Sequence, residues 1–143
     1  MAKPVADKAH VLIVVDVQEA FEVPPKIVEA MRRYSRRFAR RVFTQFVNRP
    51  GSLFRRKLKQ HSCKPGSRDL RLLIQPQPHD LVIQKAGYGL HQKDIRRLKA
   101  AGVKRATVCG IDTDACVMGV MLLLFDAGIT PRQKDELCWG ASG

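Results

Sequence analysis

The chain has 143 residues, 45% of them hydrophobic, and this length and composition suit one globular domain spanning residues 1–143. Its formal net charge is +13, because 26 Lys and Arg stand against 13 Asp and Glu. No apolar run reaches the ~20 residues of a bilayer-spanning helix and the first residues lack an apolar signal core, so we expect a cytoplasmic protein without a membrane partner.

The first third of the chain predicts two strands around one helix. A continuous apolar run ending at Val15 predicts a strand over residues 10–16 that is buried on both faces of a parallel sheet. Residues 26–40 carry apolar side chains at helical spacing with arginines between them, which predicts an amphipathic helix. A second strand is predicted over residues 41–47, before a turn rich in Pro and Gly.

The middle of the chain is less regular. Residues 49–79 are basic and contain four prolines, with a short helix near residues 68–74. A third strand is predicted over residues 80–84, and a helix over residues 92–101.

The last third predicts a strand, a tight turn and a helix. The fourth strand covers residues 105–110, and an unbroken apolar helix over residues 117–125 stops before Gly128, the position of a C-terminal cap. A fifth strand over residues 129–134 is poorly supported, because a buried parallel strand needs an apolar run that this segment lacks.

The turn before the apolar helix, Gly-Ile-Asp-Thr-Asp-Ala-Cys at residues 110–116, is the most informative segment. It puts Cys116 at or just inside a helix N-terminus, where unpaired N–H groups and the helix dipole stabilise an anion. We therefore expect a lowered thiol pKa, which is roughly 3.5–7.5 in reactive cysteines. A buried structural cysteine is the alternative.

Two further polar residues stand at the ends of apolar strands. Asp16 follows the first strand and Lys85 follows the third. Taken singly, Asp16 suits a turn or a cap, and Lys85 suits a solvated loop. Because the carboxyl ends of parallel strands meet at one edge of the sheet, where α/β proteins bind ligands, we expect both residues to converge on Cys116.

These motifs together resemble the isochorismatase-like cysteine hydrolase family, in its amidohydrolase branch. The resemblance rests on Asp-x-Gln at residues 16–18, Lys85 before a Tyr-Gly loop, and the cysteine motif at residues 110–117, and it runs over about residues 11–138. It implies a three-layer α/β/α, Rossmann-like fold with a mostly parallel sheet of about five strands. Members usually carry an apolar fifth strand, then a further strand and a C-terminal helix, so we expect either a member shortened at its C-terminus or a fragment with an exposed sheet edge.

The resemblance also implies a catalytic triad of Asp16, Lys85 and Cys116, which hydrolyses C–N bonds of small amides, ureas or carbamoyl compounds through a thioester. Isochorismate cleavage itself does not require the cysteine, so its presence favours the amidohydrolase branch. The family pattern places the oxyanion hole at the backbone N–H groups of Asp112 and Cys116, and a cis peptide bond between Ile111 and Asp112. Three aromatic residues are candidate substrate-binding walls, with core packing as the alternative for each: Phe21, Phe54 and Tyr88.

The sequence offers no set of metal ligands. Nicotinamidase-like members of the family carry Asp-x-His and a further His near the second strand, whereas residues 44–48 here hold neither Asp nor His. The four cysteines form no CxxC pair, so neither a zinc site nor a disulfide framework is indicated. We therefore predict a site without a metal or another cofactor.

The positive charge is concentrated in one window. Residues 30–68 hold 13 of the 26 Lys and Arg and no Asp or Glu. A solvated helix face followed by a basic loop is the simpler interpretation. The alternative function is a weak or inactive family member that acts as a basic binding module for an anionic partner, with nucleic-acid binding at most non-specific, because interleaved aromatic residues are sparse there.

The apolar helix also predicts an assembly. Its residues are apolar nearly all round, and one face of a sheet cannot cover them all. We therefore expect a homo-oligomer, most simply a two-fold dimer, with this helix at or near the interface.

Overall fold

The five strands of the protein form one parallel sheet in the order β3-β2-β1-β4-β5. The structure is a computed structural model that describes residues 4–140. The strands are β1 (His10–Val15), β2 (Arg41–Phe46), β3 (Leu81–Lys85), β4 (Arg105–Ile111) and β5 (Thr130–Trp139). The expected parallel α/β architecture is confirmed, and the first four strands lie within one residue of their predicted bounds.

Helices cover both faces of this sheet. They are α1 (Pro25–Ser35), α2 (Leu53–Arg56), α3 (Gln92–Ala100) and α4 (Met118–Asp126). Odd-numbered residues of β1 pack with the buried side chains of α3 and α4, and even-numbered residues pack with those of α1. This two-sided burial explains why β1 is a continuous apolar run rather than an alternating one.

Helix α1 ends at Ser35, five residues earlier than predicted. The Ser35 hydroxyl donates to the carbonyl oxygen of Arg32 at 2.7 Å and accepts from the Arg41 guanidinium at 2.9 Å. Turns after Ser35 then carry Phe38 into the core on this face of the sheet. The apolar residues at helical spacing therefore pack in the core, although the last of them, Phe38, lies beyond the end of the helix.

The weakly supported fifth strand is confirmed as β5, which runs for ten residues and so extends beyond the predicted bounds. It lies at an edge of the sheet and pairs with β4, with a shift of register between Val108 and Gly110. An edge strand is buried less than a central one, so it tolerates charged residues such as Arg132 and Glu136. Leu137 supplies its buried contact with the core on the α1 side.

The apolar helix lies within one residue of its predicted bounds. A π-helical turn over Thr113–Val117 precedes α4, and nine residues of regular helix follow. Val120 and Leu124 face the sheet and are fully buried. Within residues 4–140, none of the helices combines the length and apolar character that crossing a bilayer requires.

A close backbone contact joins the two central strands at the edge that carries the candidate site. Val15 of β1 pairs with Gly110 of β4, which has a φ of +123°. A Cβ atom at position 110 would lie 2.2 Å from the carbonyl oxygen of Val15. Only glycine fits there, since both the space and the backbone conformation exclude a side chain.

We expect Gly110→Ala to lower the free energy of unfolding by about 3 kcal/mol or more, or to prevent folding, because the new methyl group meets fixed backbone. Urea unfolding followed by circular dichroism measures this. Gly128→Ala is the matched control, since Gly128 also has a positive φ but has open space around it, and it should cost only about 1–2 kcal/mol. Equal, small losses in both variants would contradict the steric argument.

Candidate active site

Three strands deliver polar side chains to the carboxyl edge of the sheet. Asp16 directly follows β1, Lys85 is the last residue of β3, and Cys116 lies on the turn after β4. β1 and β4 are neighbours, whereas β2 lies between β1 and β3. The Lys85 side chain therefore reaches past the end of β2 to meet Asp16.

Asp16 and Lys85 form a buried ion pair. The Lys85 Nζ lies 2.8 Å from Asp16 Oδ2, and the two side chains are 0% and 1% exposed. The Thr44 hydroxyl donates to Asp16 Oδ1 at 2.6 Å, and Lys85 Nζ also donates to the carbonyl oxygens of Gly87 and Tyr88, at 2.6 and 3.2 Å. Lys85 is thus the charge partner of Oδ2, while Thr44 is the hydrogen-bond donor to Oδ1.

The thiol of Cys116 lies against this pair and within hydrogen-bonding reach of both side chains. Burial and the negative charge of Asp16 raise the pKa of Cys116 to about 12, while the Lys85 ammonium acts in the opposite direction. The expected lowering of this pKa was wrong for two reasons. Cys116 is on the π-helical turn rather than at the start of α4, and the sulfur is largely removed from water.

The same turn carries the residues predicted for the oxyanion hole. The peptide bond between Ile111 and Asp112 is cis, as the resemblance implies. The carbonyl oxygen of Asp112 accepts from the N–H groups of Ala115 and Val117, at 3.1 and 3.0 Å, which closes the turn tightly around Cys116. Asp112 and Cys116 both border the cavity above the ion pair, and the use of their N–H groups as oxyanion donors stays a prediction.

A cavity of about 120 Å³ opens onto Asp16 and Cys116. All three aromatic residues predicted as walls border it: Phe21, Phe54 and Tyr88. Phe54 packs edge-on against Phe46, with ring centroids 4.8 Å apart, and against Tyr88 at 5.1 Å. Phe46, Phe54 and Tyr88 therefore form one packed wall of this small space.

Outside the cysteine turn, sequence reasoning missed two lining residues, Phe46 and Gln60. Phe46 ends β2, the strand between β1 and β3, so its strand-end position was the available signal. Gln60 lies in the irregular segment, where the sequence gives no comparable signal. A third supporting residue, Gln18, closes the gap between the ends of β1 and β2, because its amide donates to the Phe46 carbonyl at 3.1 Å and accepts from the Phe46 N–H at 2.8 Å.

The residues beside this site do not fit a divalent metal ion. Asn48 follows β2, where a ligand would be expected, but its amide donates to the carbonyl oxygens of Gln60 and Ser62, at 2.8 and 3.0 Å, and accepts from the Ser52 hydroxyl. Its polar atoms thus hold the loop closed. Among residues 4–140, no group of three His, Cys, Asp or Glu side chains is arranged to hold a metal.

Comparisons with known proteins agree with this geometry. The isochorismatase domain model matches residues 10–142. A search of curated protein sequences gave no significant match. A similar fold occurs in a pyrazinamidase of Pyrococcus horikoshii in complex with zinc, with a TM-score of 0.84. The two sequences are 22% identical, and the match covers 92% of this chain and 87% of that one.

Two further solved structures have the same fold. An N-carbamoylsarcosine amidase from Thermoplasma acidophilum has a TM-score of 0.82 and 21% identity, over 94% of this chain and 86% of that one. A cysteine hydrolase from Pseudomonas syringae pv. phaseolicola has a TM-score of 0.81 and 17% identity, over 97% and 76%.

We expect Asp16→Asn to lower the pKa of Cys116, because the Asp16 charge and its hydrogen bond with the thiol both raise it. The thiolate fraction at mildly alkaline pH then rises, and Cys116 should be alkylated by iodoacetamide at least about tenfold faster, the change that one pKa unit gives. Peptide mass spectrometry over a pH series measures the rate.

Asp114→Asn is the matched control for this measurement. Asp114 is an exposed carboxylate on the same turn, and it is not among the groups that shift the pKa of Cys116. Its alkylation profile should equal that of the wild type. An unchanged profile in Asp16→Asn, or the same acceleration in both variants, would contradict the coupling.

Proposed function

The chain belongs to the isochorismatase family, and from that premise we propose that it is a cysteine-dependent hydrolase of a small amide, urea or carbamoyl compound. One observation carries the proposal. The thiol of Cys116 lies against a buried carboxylate and ammonium pair, at the floor of a small aromatic cavity. A nucleophile beside a base that is itself held by a third group is the arrangement that covalent acyl transfer needs.

The thiol is protonated in the resting site, since its pKa is about 12. The reaction therefore begins with proton transfer from Cys116 to Asp16, whose carboxylate lies within hydrogen-bonding reach of the thiol. The sulfur attacks the substrate carbonyl carbon as the proton leaves, which forms the C–S bond. Coupling the two events avoids an isolated thiolate in a buried site.

Lys85 supports this proton transfer through charge. Its ammonium compensates the buried carboxylate and lowers the pKa of the thiol, so it opposes the effects of burial and of Asp16. The two carbonyl oxygens of the 87–88 turn and the Asp16 carboxylate together hold Nζ in place. Lys85 thus acts by positioning and charge rather than by bonding to the substrate.

The remaining steps return the site to its starting state. The N–H groups of Asp112 and Cys116 stabilise the oxyanion, and Asp16 passes its proton to the nitrogen as the C–N bond breaks. Ammonia or an amine leaves, and a thioester on Cys116 remains. Asp16 then takes a proton from water, the hydroxide displaces the sulfur, and the acid is released as the thiol is reprotonated.

The cavity limits the substrate to a small molecule. Its volume of about 120 Å³ leaves room for few non-hydrogen atoms beyond the amide, and Phe21, Phe54 and Tyr88 offer flat apolar walls. We therefore expect a small amide to fill this space better than a peptide does.

The second candidate is a basic binding module for an anionic partner. One observation favours it, because the loop over residues 49–68 beside the cavity holds seven Lys and Arg and no carboxylate. Six of these seven side chains are exposed to solvent. The hydrolase and the binding module are distinguished by whether the protein hydrolyses a substrate and whether that turnover depends on Cys116.

We expect ammonia or amine release from at least one member of a panel of small amides, ureas and carbamoyl compounds. Cys116→Ala and Asp16→Asn should each lower kcat/KM by about 10⁴-fold or more, because both groups act in the same bond-making step. Cys138→Ala is the control, since that half-buried thiol lies in β5 outside the cavity, and it should retain wild-type turnover. Turnover that survives in Cys116→Ala, or no turnover on the panel, would contradict the hydrolase proposal and favour the binding module.

Turnover should be unaffected by EDTA, because the described residues beside the site offer no group of ligands for a divalent ion. Assays of the same substrate before and after dialysis against the chelator measure this. Loss of activity that zinc or manganese restores would show that the loop after β2 rearranges to bind a metal.

A further inference from the structure

Thr44 is a polar residue of strand β2 that lies behind the candidate active site. It is fully buried, and it is not among the residues that border the cavity. In the parallel ladder it pairs with Val15, the last residue of β1, so it stands beside the point where the chain enters Asp16. Thr44 therefore has no contact with the cavity but lies against the residue that we propose as the base.

The hydroxyl of Thr44 binds Asp16 at two points. It donates to the carboxylate oxygen Oδ1 at 2.6 Å, and it accepts from the Asp16 N–H group at 3.1 Å. The same N–H group also donates to the carbonyl oxygen of Thr44 at 3.2 Å. Because one hydroxyl joins the backbone and the carboxylate of the same residue, it holds both parts of Asp16 in a single arrangement.

The conformation of Asp16 makes this restraint important. Its φ of +51° is left-handed, which is uncommon for residues other than glycine. Lys85 Nζ contacts only the other carboxylate oxygen, Oδ2, at 2.8 Å. A contact at one oxygen leaves the carboxylate able to turn about its Cβ–Cγ bond, whereas contacts at both oxygens fix its plane. The thiol of Cys116 lies within hydrogen-bonding reach of this fixed group.

We propose that Thr44 is a positioning residue for the proton transfers between Cys116 and Asp16, an inference that rests on the proposed hydrolase function. The carboxylate has to take the thiol proton, pass it to the leaving nitrogen and then take a proton from water. Each transfer needs the same short distance between the carboxylate and the reacting atoms. A displacement of about 1 Å costs on the order of 100-fold in rate, so the hold of Thr44 on Oδ1 bears directly on turnover.

We expect Thr44→Val to lower kcat by about 10- to 100-fold and to leave KM nearly unchanged, because the hold on Asp16 is lost while the cavity walls remain. Valine has the shape of threonine without its hydroxyl. Thr44→Ser keeps the hydroxyl and should retain most of the wild-type kcat. Steady-state kinetics on the panel of small amides, ureas and carbamoyl compounds measure both constants, with kcat referred to the folded fraction found by urea unfolding.

Thr107→Val is the matched control. Thr107 is a second buried threonine in a central strand, and its hydroxyl lies 2.7 Å from His10 Nε2, away from the cavity. This variant also loses a buried hydrogen bond, so it reports the effect of a weakened sheet alone, and it should keep the wild-type kcat. If Thr44→Val does not fold, Thr44→Ala replaces it under the same criteria.

The outcomes separate this inference from the hydrolase proposal. A wild-type kcat in Thr44→Val, an effect confined to KM, or an equal loss of kcat in Thr44→Ser or Thr107→Val would overturn the role of Thr44 and leave the hydrolase proposal in place. Absence of turnover in the wild-type protein would instead contradict the hydrolase proposal, and the role of Thr44 would fall with it.

Discussion

The buried ion pair between Asp16 and Lys85 is the constraint on which the rest of the site depends. Removing either charge from water costs several kcal/mol, so neither group is stable there without the other. The Thr44 hydroxyl and the carbonyl oxygens of the turn after β3 complete the environment of the pair. Because these partners come from β2 and the β3 turn, the pair fixes how three strand ends meet around Cys116.

The parts of the fold that local pattern determines could be predicted from the sequence. The central strands β1 and β4 are buried on both faces, so their apolar runs mark their bounds to within a residue. Asp16 and Cys116 follow those two neighbouring strands, and their proximity follows from parallel geometry. The position of Lys85 is harder to predict, because no single segment of the sequence shows the order of the strands. Its side chain also has to pass the end of β2 to reach Asp16.

Properties that arise only in the folded chain escaped prediction. An edge strand such as β5 lacks the apolar run of a central strand. Its extended conformation depends on pairing with β4, which its own sequence does not indicate. The pKa of Cys116 depends on how deeply the sulfur is buried and on the distance to Asp16. Phe46 and Gln60 line the cavity because the end of β2 and the segment after α2 meet there. Each of these depends on contacts between residues far apart in the chain.

The walls of the cavity and its floor have separate origins in the chain. Asp16 and Lys85 are held by the ends of strands, whereas Phe54 lies in the short helix α2, Gln60 in the loop after it, and Tyr88 in the turn after β3. Loops accept substitution more readily than the strands of a sheet. Under the proposed function, substitutions at these wall positions would change which molecules enter the cavity while the residues at the strand ends keep their arrangement. A laboratory library directed at new selectivity can therefore be restricted to those wall positions.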